Sequence, residues 1–230
     1  MVDDAVNIRG LKRMAADYAG KVPPPECAPS TGKTVAVIGG GPGGLSAAYY
    51  LQLMGHQVTV YEMLPELGGM LRYGIPNYRL PKDRLNEDIQ AILDTGVKVK
   101  YGLRIGQDIT VQELRASYDA VLITIGASTD KKLGIEGEDA EGVMSAVRFL
   151  RDVGKGINPD LTGQEVAIVG GGNVSMDAVR SAVRLGAKKV SILYRRRTAD
   201  MTALPAEIEG AIAEGVEIRT LRAHAGIEPD

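Results

Sequence analysis

Two glycine-rich segments with the same spacing constrain the fold of this chain more than any other feature. The first spans residues 39–44 (GGGPGG) and the second spans residues 170–175 (GGGNVS). Each follows a short apolar run and opens an alanine-rich stretch of helical character, which is the setting of a dinucleotide-binding turn. Two such settings predict a protein that holds two dinucleotides and passes electrons between them.

The apolar pattern predicts strands that alternate with helices. Short apolar runs predict strands over residues 34–38, 58–61, 97–100, 120–125, 165–169, 190–194 and 216–219. Helical spacing and glycine stops predict helices over residues 7–19, 45–54, 81–93, 143–152, 176–185 and 206–214. This alternation predicts an α/β fold of two Rossmann-like doubly wound units with parallel sheets.

The charge balance of the chain excludes several classes of partner. The chain has 27 basic and 29 acidic residues, which argues against nucleic acid as its main partner. No apolar run approaches membrane-spanning length, and the acidic start of the chain lacks the apolar core of a signal peptide. We therefore expect a cytoplasmic protein without membrane insertion.

The single cysteine, Cys27, lies in a proline-rich linker. One cysteine permits neither an internal disulfide nor a Cys-x-x-Cys redox pair, and we expect no metal centre within the chain. Cys27 is either a free linker thiol or one ligand to a cluster shared with a partner.

The first glycine segment has the features of a pyrophosphate cradle. In it Gly39 permits the tight turn, Gly41 lets the backbone approach the phosphates, and Gly44 lets the helix pack closely on the strand. The expected cofactor-binding residues of this turn are Gly39, Gly41, Pro42, Gly43 and Gly44. A carboxylate at Glu62, which ends the next strand, can accept ribose hydroxyls and would repel a 2′-phosphate. The first site therefore suits FAD or NAD rather than NADP.

The second glycine segment differs at the end of its next strand. Arginines follow that strand, whereas the corresponding strand of the first site ends in the acid Glu62. Guanidinium groups can pair with a 2′-phosphate, which favours NADP(H) over NAD(H). Asn173 either hydrogen-bonds a phosphate or caps the helix. The expected nucleotide-binding residues of this site are Gly170, Gly172, Asn173, Val174, Arg195 and Arg196.

Residues 35–62, followed by 68–82 (GGMLRYGIPNYRLPK), resemble the FAD domain of the glutamate synthase small-subunit family. That family includes the reductase parts of dihydropyrimidine dehydrogenase and of the bifurcating NADH-dependent ferredoxin:NADP oxidoreductases. The resemblance implies that residues 68–82 run along the flavin. It implies FAD contacts from Gly69, Met70, Leu71, Arg72, Ile75 and Pro76, and a second FAD contact from Ile125, Gly126 and Ala127.

The resemblance also implies a domain order. Residues 1–29 would form an N-terminal helix and proline-rich linker, residues 30–142 the first part of the FAD-binding domain, and residues 143–230 an incomplete NAD(P)H-binding domain inserted in it. The FAD fold would be completed by a later segment, so the sequence is either a fragment or is complemented by another polypeptide. Thr202 departs from the Met-Pro-Ala that usually follows the second site in the family.

The expected function is that of an FAD-dependent NAD(P)H oxidoreductase subunit. Residues 7–13 resemble the helix that leaves an iron–sulfur domain in longer relatives, so the clusters would lie on a partner subunit or ferredoxin in a hetero-oligomer. No residue is required as a catalytic acid or base. The alternatives are a pyridine nucleotide–disulfide reductase, a non-catalytic nucleotide-binding subunit and a dehydrogenase with one nucleotide. The direction of electron flow, the terminal acceptor and bifurcation stay open.

Overall fold

The computed structural model describes residues 6–20, 22–129, 132–223 and 225–228. The acidic start of the chain and parts of all three predicted domains lie outside the described residues. The helices are α1 (Ile8–Tyr18), α2 (Pro42–Leu53), α3 (Met70–Tyr73), α4 (Lys82–Leu93), α5 (Val111–Ser117), α6 (Ala146–Gly154), α7 (Asn173–Arg184) and α8 (Pro205–Ala213). The strands are β1 (Thr34–Ile38), β2 (Gln57–Glu62), β3 (Lys98–Tyr101), β4 (Ala120–Ile123), β5 (Glu165–Val169), β6 (Lys189–Tyr194) and β7 (Glu217–Thr220).

The described residues divide into two compact units by their packing. Unit 1 contains the residues up to Glu66 together with Asp83–Thr124, and unit 2 contains Leu67–Lys82 together with the residues from Ile125 onward. The predicted domains were divided by the cofactor that each was expected to bind, whereas these units are divided by packing. The predicted domain boundaries therefore stay a prediction. The segment Leu67–Lys82, which the resemblance assigns to the flavin, packs within unit 2.

Unit 1 is built on a parallel four-stranded sheet in the order β3-β2-β1-β4. In the central strand, Val37 pairs with Val60 of β2 and Leu122 of β4. Val37 and Val60 have no exposed surface, as expected for parallel strands that are covered on both faces. The glycine turn after β1 therefore sits at the carboxyl edge of this sheet, where α/β folds bind ligands.

Unit 2 is built on a parallel three-stranded sheet in the order β5-β6-β7. Helix α7 supplies Met176, Ala178 and Val179, which are fully buried together with Ile192 of β6. This apolar face fixes α7 against the sheet, so that the second glycine turn also lies at a carboxyl edge. The predicted fold class of two Rossmann-like units is confirmed.

Several predicted boundaries were wrong by a few residues. Helix α2 begins at Pro42 rather than at residue 45, because proline suits the first turn of a helix, where its missing N–H costs nothing. Helix α7 likewise begins at Asn173 rather than at residue 176. Strand β4 ends at Ile123 rather than at residue 125. The helices α3 and α5 were not predicted.

Helix α1 has an apolar stripe but no buried residue among those described. Ile8, Leu11 and Met14 are each more than half exposed. Across the described residues, no helix combines the length and apolarity needed to cross a membrane.

Candidate nucleotide-binding sites

The first glycine turn is shaped by close backbone packing within unit 1. Gly39 has φ +105°, a conformation that favours glycine. A Cβ on Gly44 would lie 1.9 Å from the Gly39 carbonyl oxygen and 2.7 Å from Thr124 Oγ1, so only glycine fits there. This is the packing role expected of Gly44. Thr124, which the sequence did not single out, places its hydroxyl 2.9 Å from the Ile38 carbonyl oxygen and 3.1 Å from that of Gly39.

Gly43 has no comparable packing need for glycine, and the backbone angles of Gly41 do not require one. Gly41 caps α2 with φ −79° and ψ −176°, which any residue adopts. A Cβ on Gly43 would meet no atom within 4 Å. The absence of a side chain at Gly43 leaves open space over the first turn of α2, where a ligand could approach the backbone closely.

In the described part of the chain, the N-termini of α2, α3, α7 and α8 have no capping side chain, whereas those of α1, α5 and α6 do. Asn7 caps α1, Thr110 forms a capping box with Glu113 on α5, and Ser145 caps α6. The N-caps of α2 and α7 are Gly41 and Gly172, and neither offers a side chain to the first-turn N–H groups. These N–H groups and the positive end of the helix dipole can bind phosphate.

Glu62 lies at the first turn, as the sequence predicts, and it also holds that turn. Its Oε2 accepts the Gly40 N–H at 2.7 Å, and its Oε1 accepts the Leu64 N–H at 2.8 Å. The residue is 5 % exposed. Each carboxylate oxygen has a further lone pair, so both can still accept a hydroxyl hydrogen bond.

The predicted FAD residues of Leu67–Lys82 surround the short helix α3. Gly68 (φ +118°) and Gly69 (φ +51°) make the turn before it. Arg72 is buried, and its Nε donates to the Leu67 carbonyl at 2.5 Å. The Lys82 ammonium donates to the carbonyls of Leu71 and Ile75 at 2.9 and 2.6 Å, while burial and, secondly, Arg72 lower the pKa of Lys82.

The remaining residues that were assigned to FAD are more open. Met70 is 36 % exposed, while Leu71, Ile75 and Pro76 are half-buried. Ile125, Gly126 and Ala127 are exposed, and Gly126 has φ +70°. Cys27 is also exposed, with its Sγ 3.6 Å from the Thr95 carbonyl oxygen.

The second glycine turn is enclosed by the loop of residues 198–204. A Cβ on Gly171 would lie 2.7 Å from the Tyr194 ring and 3.0 Å from Met201. The Gly171 carbonyl accepts the N–H groups of Thr202 and Ala203, both at 3.0 Å. Threonine at position 202 thus supplies an N–H that a proline would lack.

The side chain of Asn173 links this loop to the turn by a hydrogen bond. Its Oδ1 accepts the Leu204 N–H at 3.0 Å, and it does not cap α7, whose N-cap is Gly172. The capping interpretation of Asn173 was therefore wrong, because the fold brings the N–H of Leu204 to its side-chain oxygen. The neighbouring Val174 is exposed at the first turn of α7.

The three arginines after β6 differ in their pairing. Arg197 forms an ion pair with Asp200, with Nε–Oδ2 at 3.0 Å. Arg195 and Arg196 are exposed, and within the described part of the chain neither forms an ion pair. Two exposed guanidinium groups without a described ion pair thus follow β6, whereas the carboxylate of Glu62 ends β2.

Comparison with known proteins identifies the family of this chain. The sequence profile of the pyridine nucleotide-disulphide oxidoreductase family matches residues 33–230, and the chain belongs to that family. It is 44 % identical over 94 % of its length to the NADP(+)-dependent formate dehydrogenase subunit beta of Moorella thermoacetica, of which it covers 34 %. It is 45 % identical over 94 % of its length to the NADPH-Fe(3+) oxidoreductase subunit beta of Geobacter sulfurreducens, of which it covers 33 %.

The resemblance to the glutamate synthase small subunit is confirmed as well. The chain is 35 % identical over 97 % of its length to the glutamate synthase (NADPH) small chain of Escherichia coli, of which it covers 50 %. It therefore spans between a third and a half of these relatives. In structure it resembles FprA from Mycobacterium tuberculosis in complex with NADPH, with a TM-score of 0.70 at 23 % identity over 88 % of this chain and 62 % of that one.

Proposed function

We propose that this chain is the FAD- and NAD(P)H-binding part of an electron-transfer oxidoreductase. The observation that carries the proposal is the pair of uncapped helix N-termini, each behind a glycine turn, with a carboxylate beside one and two free guanidinium groups beside the other. Such a pair suits two dinucleotides of different charge.

The first site is proposed to hold FAD. In this proposal the first-turn N–H groups of α2 bind the pyrophosphate, and Glu62, held in place by Gly40 and Leu64, accepts ribose hydroxyls. The residues proposed to contact the remainder of the cofactor are Gly69, Met70, Leu71, Arg72, Ile75, Pro76, Ile125, Gly126 and Ala127. When bound, FAD supplies the hydride-accepting and one-electron chemistry.

The second site is proposed to hold NADP(H) in preference to NAD(H). The first turn of α7 binds the pyrophosphate, and Arg195 and Arg196 pair with the 2′-phosphate. NADPH or NADP appears in the names of the relatives from Moorella, Geobacter and Escherichia. In this proposal the protein orients the two cofactors, and the reaction requires no side chain of this chain as an acid or base.

The partner is proposed to be an iron–sulfur subunit or a ferredoxin. Three relatives are named as a subunit beta or a small chain, which supports a multisubunit assembly. One cysteine in 230 residues cannot hold an all-cysteine cluster, so the clusters would lie outside this chain. A cytoplasmic location is part of this proposal.

The test compares Gly41→Val with Gly172→Val, each introduced into the full native assembly. Both glycines are N-caps with extended backbone, at ψ −176° and 173°, so valine introduces bulk without backbone strain. We expect Gly41→Val to lose FAD and keep NADPH binding, and Gly172→Val to do the reverse. FAD content is read from the flavin released on denaturation. If both variants keep both ligands, the glycine turns do not hold dinucleotides.

A further inference from the structure

The segment Leu67–Lys82 is anchored at two places within unit 2. Helix α3 lies against α6 so closely that a Cβ on Gly154 would be 3.0 Å from the Tyr73 Cα. Beyond α3, Tyr78 and Arg79 reach α7, on which the Asp177 carbonyl lies 3.4 Å from the Tyr78 hydroxyl. The residues assigned to the flavin include the first anchor, α3, and directly precede the second anchor in the chain.

Arg79 forms ion pairs with both α7 and α8. Its Nη1 lies 2.9 Å from both carboxylate oxygens of Asp177, and its Nε lies 3.1 Å from Glu207 Oε1. The side chain of Arg79 is 24 % exposed and that of Asp177 is 7 % exposed. Ion pairs shielded to this degree are screened less by salt than surface pairs are.

The attachment is part of a balanced network of charges. Arg180 pairs with Glu207 at 2.8 Å and with Glu214 at 2.9 Å, and Arg184 also pairs with Glu214. The guanidinium carbons of Arg180 and Arg184 lie 4.7 and 3.9 Å from the centre of the Tyr78 ring. Three guanidinium groups thus face three carboxylates, and removal of one leaves an opposite charge without its partner.

We propose that Arg79 is a positioning residue for the flavin. Asp177 lies on α7, which begins at the second glycine turn, and Glu207 lies on α8, which follows the loop that encloses that turn. Through these two carboxylates Arg79 fixes the flavin-contacting residues relative to the elements that hold the pyridine nucleotide. The proposal rests on the proposed function, and it assigns a role to a residue that need touch neither cofactor.

The test is the rate of flavin reduction per bound flavin in Arg79→Met, measured by rapid mixing with saturating NADPH in the native assembly. We expect the rate to fall about tenfold or more, because small displacements of reacting groups cost large factors in rate. The dissociation constant of NADPH should change less than about twofold. Arg79→Lys, which keeps the charge but not the paired geometry, should recover part of the rate.

Arg219→Met is the matched control, because Arg219 pairs with Glu217 on β7 and makes no described contact with the segment. Its rate per flavin should equal that of the wild type. Should Arg79→Met fail to fold, Asp177→Asn removes the same charge pair with little change in shape and should slow reduction in the same direction. If these variants lower the melting temperature alone, with an unchanged rate per bound flavin, Arg79 is merely structural and the proposal is overturned. A wild-type protein that binds no flavin would instead contradict the proposed function.

Discussion

Glu62 binds the backbone of the glycine turn that it was expected to face, with its Oε2 2.7 Å from the Gly40 amide nitrogen. The second carboxylate oxygen accepts the Leu64 N–H. The side chain that is proposed to recognise the ribose is therefore oriented before a cofactor arrives. Preorganisation of this kind reduces the entropy lost on binding.

Glu62→Gln should both destabilise the protein and weaken FAD binding. Glutamine can accept only one of the two N–H groups through its single oxygen, so the other is left unpaired in a buried place. We expect a loss of about 1–3 kcal/mol in the free energy of unfolding, measured by denaturant titration. Glu26→Gln, an equal change of charge at an exposed linker position, should leave both quantities unchanged. Equal stability in the two variants would contradict the role given to Glu62.

Gly44→Ala should be far more damaging than Gly43→Ala. The added methyl would lie 1.9 Å from the Gly39 carbonyl oxygen at position 44, but it would meet no atom within 4 Å at position 43. Overpacking costs about 1–3 kcal/mol or more, whereas alanine in a helix gains up to about 1 kcal/mol over glycine. Thermal unfolding of the two variants checks this order. Similar melting temperatures would show that the turn can open.

Arg195→Ala combined with Arg196→Ala should weaken NADPH binding more than NADH binding, by about 1–3 kcal/mol for the lost charge-assisted bonds. Calorimetric titration with each nucleotide measures the difference. Arg197→Ala is the control, since that guanidinium is already paired with Asp200. It should change the ratio of the NADPH and NADH affinities little. Equal losses for NADPH and NADH in the double variant would reject the 2′-phosphate role.

Asn173→Ala and Asn173→Asp should separate two roles of Asn173, namely holding the loop of residues 198–204 and binding the nucleotide. Alanine removes the acceptor of the Leu204 N–H and should cost about 1 kcal/mol of stability. Aspartate keeps an acceptor and the stability, but it adds a negative charge beside the proposed pyrophosphate. Both variants should bind NADPH more weakly, as measured by titration. An aspartate variant with wild-type affinity would argue against phosphate at this turn.

The difference in stability between the wild type and Tyr78→Phe should change with pH only at high pH. Burial, and secondly the charge of Asp177, raise the pKa of Tyr78 to about 12 from its ordinary value of 10.0. Because the fold favours the neutral phenol, this contribution is complete below pH 10 and is lost as the pH rises towards 12. The free energy of unfolding of the wild type should therefore fall relative to that of Tyr78→Phe across this interval. If the free energy of unfolding changes with pH in the same way in both proteins, the raised pKa of Tyr78 is contradicted.

The sequence predicted those parts of the structure that depend on local signals. Apolar runs and glycines located every strand of both sheets, because burial and turn conformation act over a few residues. Helix α5, which was not predicted, also carries a local signal in the sequence, the capping box from Thr110 to Glu113. Likewise, Pro42 marks the first turn of α2.

The parts that the sequence did not predict depend on contacts between distant residues. Arg79 and Asp177 are 98 positions apart, so no pattern along the chain could place Leu67–Lys82 in unit 2. Likewise, Asn173 accepts from Leu204, 31 positions later. In both cases the fold brings together groups whose types were visible but whose pairing was not.

The central claim is that electrons pass between a pyridine nucleotide and a flavin bound to this chain. The most direct test is an anaerobic titration of the native assembly with NADPH and separately with NADH, followed by the visible spectrum of the flavin. We predict bleaching of the flavin band by substoichiometric to stoichiometric NADPH, with NADH less effective. A bound flavin that neither nucleotide reduces, or an assembly without flavin, would contradict the account.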